Sequence, residues 1–244
     1  MTVDLGKKHQ DWAVYLPAIS GFYVTQLQKM AANPSEWRCP EGFEKGTEGM
    51  NFLDPDHSYW HYPWGLYSGG HAHLDPVKSD EREPMVQGRD RSKTMILGDS
   101  GSFQLATGVI KMDWSNAKDP NDPARTEFCR KILGWLEHTA DWSMTLDVPA
   151  FAAVGKLSER TGLTEFKDTL DISLLNLDYF MRNRTPGATK FLNVLSGSNE
   201  ENSKEWYDAV KHFSNKSFVQ EAYGDADRAL EGYAFAGINM KHMY

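Results

Sequence analysis

The stretch "MILGDSGSFQLATG", residues 95–108, decides how the chain is read. An apolar run enters Gly98 and stops at Asp99. That is the pattern of a buried strand ending at a polar rim. Three small residues follow, Ser100, Gly101 and Ser102, then Phe103 and Gln104. Either Ser100 is the working residue, as a nucleophile, or Asp99 is, as an acid beside a cavity.

Working outward, the same ending recurs. Leu146-Asp147, Leu195-Ser196-Gly197 and Phe235-Ala236-Gly237 each close an apolar run on a small or polar residue. The runs predicted as strands are 12–19, 93–97, 142–148, 189–197 and 231–238. Helical segments lie between them. Residues 122–139 carry Asp122 at the N-cap, Pro123 in the first turn, and Phe128, Ile132, Trp135 and Leu136 on one face. Residues 164–184 carry the stripe Phe166, Leu170, Leu174, Leu177, Met181, stopped by Thr185-Pro186-Gly187. Residues 200–213 put Trp206, Val210 and Phe213 inward, with acids in the first turn.

Strands alternating with helices imply an α/β protein with a parallel sheet. The site of such a fold sits at the C-terminal strand ends. Carboxylates at two different strand ends, Asp99 and Asp147, suit a TIM (β/α)8-type barrel; a doubly wound sheet is the alternative. The count is about six strands, two short of a closed barrel, so the barrel is expected to be incomplete. Residues 1–244 are expected to form a single domain, with an aromatic and His-rich insertion at about 51–76.

Composition narrows the function. No 18-residue apolar stretch exists, and the N-terminus lacks the apolar core of a signal peptide, so no membrane partner is expected. Two cysteines, Cys39 and Cys129, exclude a disulfide scaffold and any zinc site of three or four cysteines within the chain. A reducing, cytoplasmic setting follows. With 26 basic against 34 acidic residues, broad non-specific nucleic-acid binding is disfavoured, but a local basic track is not.

The serine reading fails on context. A chymotrypsin-like enzyme is all-β and usually disulfide-rich, and this chain is neither. The α/β-hydrolase elbow needs Gly-x-Ser-x-Gly, and Ser102 stands where the last glycine should be. The Asp99 reading suits a flat heterocycle. Small residues let the backbone approach it, Phe103 offers an apolar wall, and Gln104 offers a donor and an acceptor. A plain Asx-turn or helix N-cap at a strand–helix junction accounts for the same residues.

Asp99-Ser100-Gly101-Ser102-Phe103-Gln104 resembles the Asp-Ser-Gly-Gly-Phe-Gln signature of the tRNA-guanine transglycosylases, which are (β/α)8 barrels. Only Ser102 departs from it. "TLDVPAF" (145–151) looks like the family's second Asp motif. "FLNVLSGS" (191–198) looks like its strand ending in Gln-Gly, with Ser196 for Gln. "GYAFAGI" (232–238) looks like its Gly-Tyr-Ala-Ile-Gly-Gly-Leu strand, with Ala236 for the first paired glycine. These four motifs come in the family's order over residues 12–240. "FQLATG" and "NVLSG" look more like the viral relatives that place 7-deazaguanines into DNA.

The resemblance implies base exchange in DNA or tRNA, guanine leaving and a 7-deazaguanine entering, through a covalent sugar–enzyme intermediate. It makes Asp99 the general acid/base and a base ligand. Asp147 would hold the purine's donor edge, and Ser100, Phe103, Gln104, Ser196, Gly197 and Gly237 would complete the base pocket. A duplex base would have to be flipped out to reach it. The family's nucleophilic Asp and its zinc site, three Cys and one His, come later than the last motif. Since the chain ends seven residues past Gly237, no cofactor is expected in it. The resemblance implies a truncated or split member, inactive in exchange alone, or completed by a homodimer or a C-terminal chain. The alternatives are a non-catalytic nucleobase- or nucleic-acid-binding subunit and a metal-dependent barrel hydrolase.

The hydrolase alternative rests on His57, His61, His71 and His73 within 54–75. The plainer reading of that segment is a substrate-facing loop with Tyr62, Trp64 or Tyr67 stacking on bases. "GRDRSK" (88–93) and "RNR" (182–184) precede strands and read as solvated structure. Lys111, Lys156 and Arg160 follow the site strands and are the candidates for phosphate contacts.

Overall fold

The computed structural model describes residues 13–33, 41–43, 45–46 and 48–235. Six strands form one sheet: β1 Ala18–Ile19, β2 Trp64–Ser68, β3 Met95–Asp99, β4 Trp142–Met144, β5 Lys190–Leu195 and β6 Gly232–Phe235. They lie side by side in chain order, and every neighbouring pair is parallel. The order never reverses, so the sheet has no switch point of the doubly wound kind. Nine α-helices are found among the described residues: α1 Gly21–Ala32, α2 Pro76–Arg82, α3 Pro84–Gln87, α4 Ser102–Thr107, α5 Pro123–Thr139, α6 Gly155–Thr161, α7 Phe166–Asn183, α8 Glu200–Val210 and α9 Lys216–Tyr223. None of them is long and apolar enough to cross a membrane.

The long helices form where their caps and stripes require. Asp122 accepts from the Ala124 and Arg125 amides at the start of α5, and Pro123 loses no bond in the first turn. Phe128, Ile132, Trp135 and Leu136 are all buried. Glu165 and Asp168 form a reciprocal capping box on α7, whose Leu170, Leu177 and Met181 enter the same core. Trp206 of α8 is buried too, and its indole N–H donates to the Val194 carbonyl at 2.8 Å, so burial leaves no polar atom unpaired there.

Two strands are shorter than their apolar runs. Of 12–19, only Ala18 and Ile19 pair with β2; Pro17 contributes a carbonyl to Leu66 N but has no N–H to give, and Trp12 lies outside the described residues. Of 142–148, only Trp142–Met144 is strand. Beyond it, side chains replace ladder partners. The Thr145 hydroxyl accepts from Val194 N at 3.2 Å, and Val148 N donates to the Ser173 hydroxyl at 2.7 Å. The backbone thus leaves the sheet with its polar groups satisfied, and Asp147 rides on the departing segment.

The expected insertion at 51–76 is not separate from the sheet. It contains β2, which lies between β1 and β3. Trp64 and Tyr67 are therefore core residues, not stacking platforms; Tyr67 packs on Trp135 and donates its hydroxyl to the buried Glu83 carboxylate at 2.9 Å.

The basic clusters at the N-terminal strand ends are also corrected. Arg89 and Arg184 have fully buried side chains. Arg89 pairs with Asp141 at 2.9 Å, and the same carboxylate oxygen accepts from Ile96 N. Arg184 pairs with Glu231 at 2.8 Å, and Glu231 accepts from Phe191 N at 2.7 Å. Each pair ties the loop before one strand to the backbone of its neighbour, β4 to β3 and β6 to β5. Sequence alone did not place these arginines inside, because their carboxylate partners lie 52 and 47 residues away.

Candidate functional site

Because every strand points the same way, their C-terminal ends share one edge. Asp99 ends β3 there, and its carbonyl accepts from Gly69 N at 2.8 Å. Its carboxylate also accepts from Gly101 N at 3.3 Å, so the Asx-turn reading holds for the backbone. Gly101 turns at φ +79° and caps α4; a side chain there would meet Gly70 N at 2.7 Å, so this turn requires glycine.

The turn sends each following residue to a separate task. Ser100 is buried, and its hydroxyl donates to the Thr145 carbonyl at 3.2 Å, which fastens the end of β3 to the segment after β4. A hydroxyl committed to a carbonyl is a tie, not an activated nucleophile. Ser102 is buried and hydrogen-bonds Asp147. Sequence reading missed this contact. The residue that departs from the Gly-Gly pattern is the one that touches the second acid. Phe103 is 58% exposed and meets Phe151 edge-to-face at 5.8 Å.

Asp147 is 3% exposed, and its Oδ2 has no hydrogen-bond partner. Burial pushes its carboxyl from 3.8 up to about 7; the Ser102 hydroxyl pulls against that rise, and the charge of Asp99 adds to it. The two predicted acids are thus brought together, one partly exposed at a strand end, the other buried behind it. Gln104 repeats the pattern in neutral form. Its Oε1 is buried without a partner, while its Nε2 lies 3.4 Å from Nε2 of His71. Buried acceptors left unpaired in a folded protein call for a donor from elsewhere. Two such acceptors are Asp147 Oδ2 and Gln104 Oε1.

The other expected residues divide. Ser196 is buried, and its hydroxyl accepts from Ala150 N at 3.3 Å, steadying the segment that carries Asp147. Gly197 is buried against Ser203. Gly237 lies outside the described residues. Lys111, Lys156 and Arg160 are all exposed, and the Arg160 guanidinium lies over Gly108 at the end of α4. α4 also packs against α6, which carries Lys156 and Arg160.

The four histidines do not converge. His57 pairs with Asp54, and His61 contacts the Phe52 carbonyl. His71 meets Gln104, and the His73 amide donates to Glu83. Among the described residues, no group of three or more His, Cys, Asp or Glu is placed to hold a metal ion. A cavity of about 630 Å³ lies apart from the acids beside β1, lined by Tyr15, Ile19, Tyr23, Phe52, Trp60 and Tyr62. Of the three aromatics expected to stack on bases, only Tyr62 faces such a space. No family model, curated protein or solved structure matches the chain.

Proposed function

We propose that this chain handles a guanine-type base of a nucleic acid, DNA foremost, and takes part in exchanging it for a 7-deazaguanine. We further propose that its sheet is six strands of a (β/α)8-type barrel. One observation carries the reading: the buried, unpartnered Oδ2 of Asp147, close enough to Asp99 to feel its charge. A carboxylate in that position matches adjacent N–H donors, which is what the N1 and exocyclic amine edge of guanine offers. The motif resemblance and the consecutive strand order support it.

On this reading each residue has a task. Asp147 and Gln104 accept from the base, and Ser102 steadies Asp147. Asp99, partly exposed at the rim, hands a proton to the departing base and takes one from the entering base. Neither acid is then available as the nucleophile, and the proposal assigns that role to no described residue. Phe103, exposed against Phe151, is the apolar wall for the base, and the exposed Lys111, Lys156 and Arg160 meet phosphates.

A base that pairs with ionised Asp147 must displace the proton held there up to about pH 7. Guanine binding therefore releases a proton and weakens as pH falls below 7, by at most about tenfold per pH unit. Equilibrium dialysis with labelled guanine at pH 5.5, 6.5 and 7.5 reads this directly. Asp147→Asn is expected to abolish the pH dependence and most of the binding. Exchange of labelled guanine into duplex DNA and into tRNA, with Asp99→Asn as control, tests the chemistry. Binding without exchange identifies a base-binding module. Failure of the wild type to bind guanine at any of these pH values refutes the reading.

A further inference from the structure

The cavity of about 630 Å³ beside β1 takes no part in the handling of a base at Asp99 and Asp147. Its size is that of a pocket for a small molecule. Tyr15, Tyr23, Phe52, Trp60 and Tyr62 give it five aromatic rings, drawn from the approach to β1, from α1 and from the chain ahead of β2. Among the described residues, no Asp, Glu, Lys or Arg lines it. Most polar ends of the wall are already engaged. The Tyr23 hydroxyl donates to the Met50 carbonyl, the Tyr62 hydroxyl to the Tyr15 carbonyl at 2.6 Å, and Nδ1 of His61 to the Phe52 carbonyl at 3.3 Å. The Ser20 hydroxyl accepts from the Tyr23 amide. Burial raises the Tyr23 and Tyr62 phenols above their ordinary value, so neither carries charge near neutral pH. What the cavity chiefly offers is ring and aliphatic carbon. Tyr15 and Trp60 belong to the wall yet are 77% and 48% exposed, which puts them at the mouth. Two large rings open to water at the mouth of an apolar cavity mark a surface that a ligand covers.

We infer that this cavity is a binding site in its own right, separate from Asp99 and Asp147, and that it takes a free, uncharged aromatic molecule of one or two fused rings. Each part follows from the wall. A charged ligand would lose its water and find no counter-charge. A base on a strand brings a phosphate, and no Lys or Arg lines the cavity to meet it. A free purine brings more donors and acceptors than the engaged wall can satisfy. A small quaternary ammonium, another guest of aromatic walls, cannot touch several rings at once in a space this large. An extended peptide would pair with the edge of β1, but that strand has two residues, and Pro17 ahead of it has no N–H to give. A flat apolar ring needs only the faces and edges that the wall presents.

Titration of the full chain with 2-naphthol, followed by nitrogen-15 NMR of the indole groups with the Trp60 signal assigned through Trp60→Phe, tests this. 2-Naphthol is expected to bind and to shift the Trp60 signal. 2-Naphthoate, the same ring bearing a carboxylate, and tetramethylammonium are expected to bind at least about tenfold more weakly. Either ion binding as tightly as 2-naphthol overturns the inference, as does failure of 2-naphthol to bind. Tyr15→Ala and Trp60→Ala each take a ring from the mouth and leave the wall's hydrogen bonds in place, since Tyr62 holds the backbone of Tyr15 and not its ring. Each is expected to weaken 2-naphthol about three- to tenfold, the effect of one aromatic contact. Phe22→Ala, as exposed as Tyr15 but outside the wall, is expected to change nothing. Wild-type affinity in both mouth variants overturns the inference. N-Acetyltryptophanamide carries a ring on a peptide backbone, and tighter binding of it than of 2-naphthol overturns the free molecule in favour of a peptide. Excess guanine and Asp147→Asn are expected to leave 2-naphthol binding unchanged, and displacement by guanine overturns the separation of the two sites. If guanine binds nowhere, the base-handling reading falls, and the 2-naphthol titration still decides the cavity.

Discussion

Replacing Asp147 with Asn should make the protein more stable, and increasingly so as pH rises. Asn has nearly the same shape and cannot ionise. The magnitude follows from the titration of the wild-type group. Its folded value, about 7, lies above the ordinary 3.8. The native state therefore holds the proton more tightly than the unfolded chain does. The stabilising contribution of that proton is complete below about pH 3.8 and is lost as pH rises through about 7. Three pH units correspond to about 4 kcal/mol over the full range, and between pH 5 and pH 8 the loss is on the order of 2–3 kcal/mol. Asp147→Asn escapes this loss. Urea unfolding at pH 5, 6, 7 and 8, with m held common to both proteins, measures it. The stability difference between variant and wild type should move by about 2–3 kcal/mol in favour of Asn across that range. Parallel pH curves would refute the reasoning, because they would mean that Asp147 titrates alike in the folded and unfolded chain. The same variant should lose base binding, so the substitution sets stability against function at one atom.

Three further outcomes follow from the geometry. Gly70→Ala should displace the Gln104 side chain rather than the backbone, leaving urea stability within about 1 kcal/mol of wild type while guanine affinity drops about tenfold in dialysis. Glu231→Gln removes the counter-charge of a buried arginine and should cost about 3 kcal/mol in a denaturant titration, with Arg184→Met added to it restoring part of the loss. Replacing Lys111, Lys156 or Arg160 with Gln should each lower the salt dependence of DNA or tRNA binding by about one unit of slope, while Lys167→Gln on the outer face of α7 should not.

The parts of the fold legible in sequence were those written in local chemistry. α5 and α7 carry their caps and stripes within their own residues, and both form within two residues of the expected ends. β2 was missed because Trp64-Gly65-Leu66-Tyr67-Ser68 alternates nothing and sits among aromatics and glycines that also suit a loop. β1 and β4 were overrun because what ends them, Pro17 in one and the Thr145 hydroxyl in the other, acts on the neighbouring strand. At the site, Asp99 and Asp147 could be picked out as strand-end acids. That Asp147 is buried while Asp99 is partly exposed, that Ser102 hydrogen-bonds Asp147 and that His71 meets Gln104 are facts of packing between segments 30 to 50 residues apart. Arg89 and Arg184 fail for the same reason, since a charged residue before a strand looks solvated until its carboxylate is placed.

The consecutive order of the six strands bears on how the chain acquires its shape. Each strand lies beside the one synthesised just before it, so a nascent chain never stores a strand for a partner still to come. The sheet can advance at a single growing edge, and at every stage that edge is both the next docking place and the surface most open to a wrong partner. The buried arginines set the rhythm of this advance. Arg89 precedes β3 and waits for Asp141 at the threshold of β4; Arg184 precedes β5 and waits for Glu231 at the threshold of β6. A ribosome paused between these points holds a cation whose mate has not emerged, and the arrival of the following strand closes a ladder and an ion pair together.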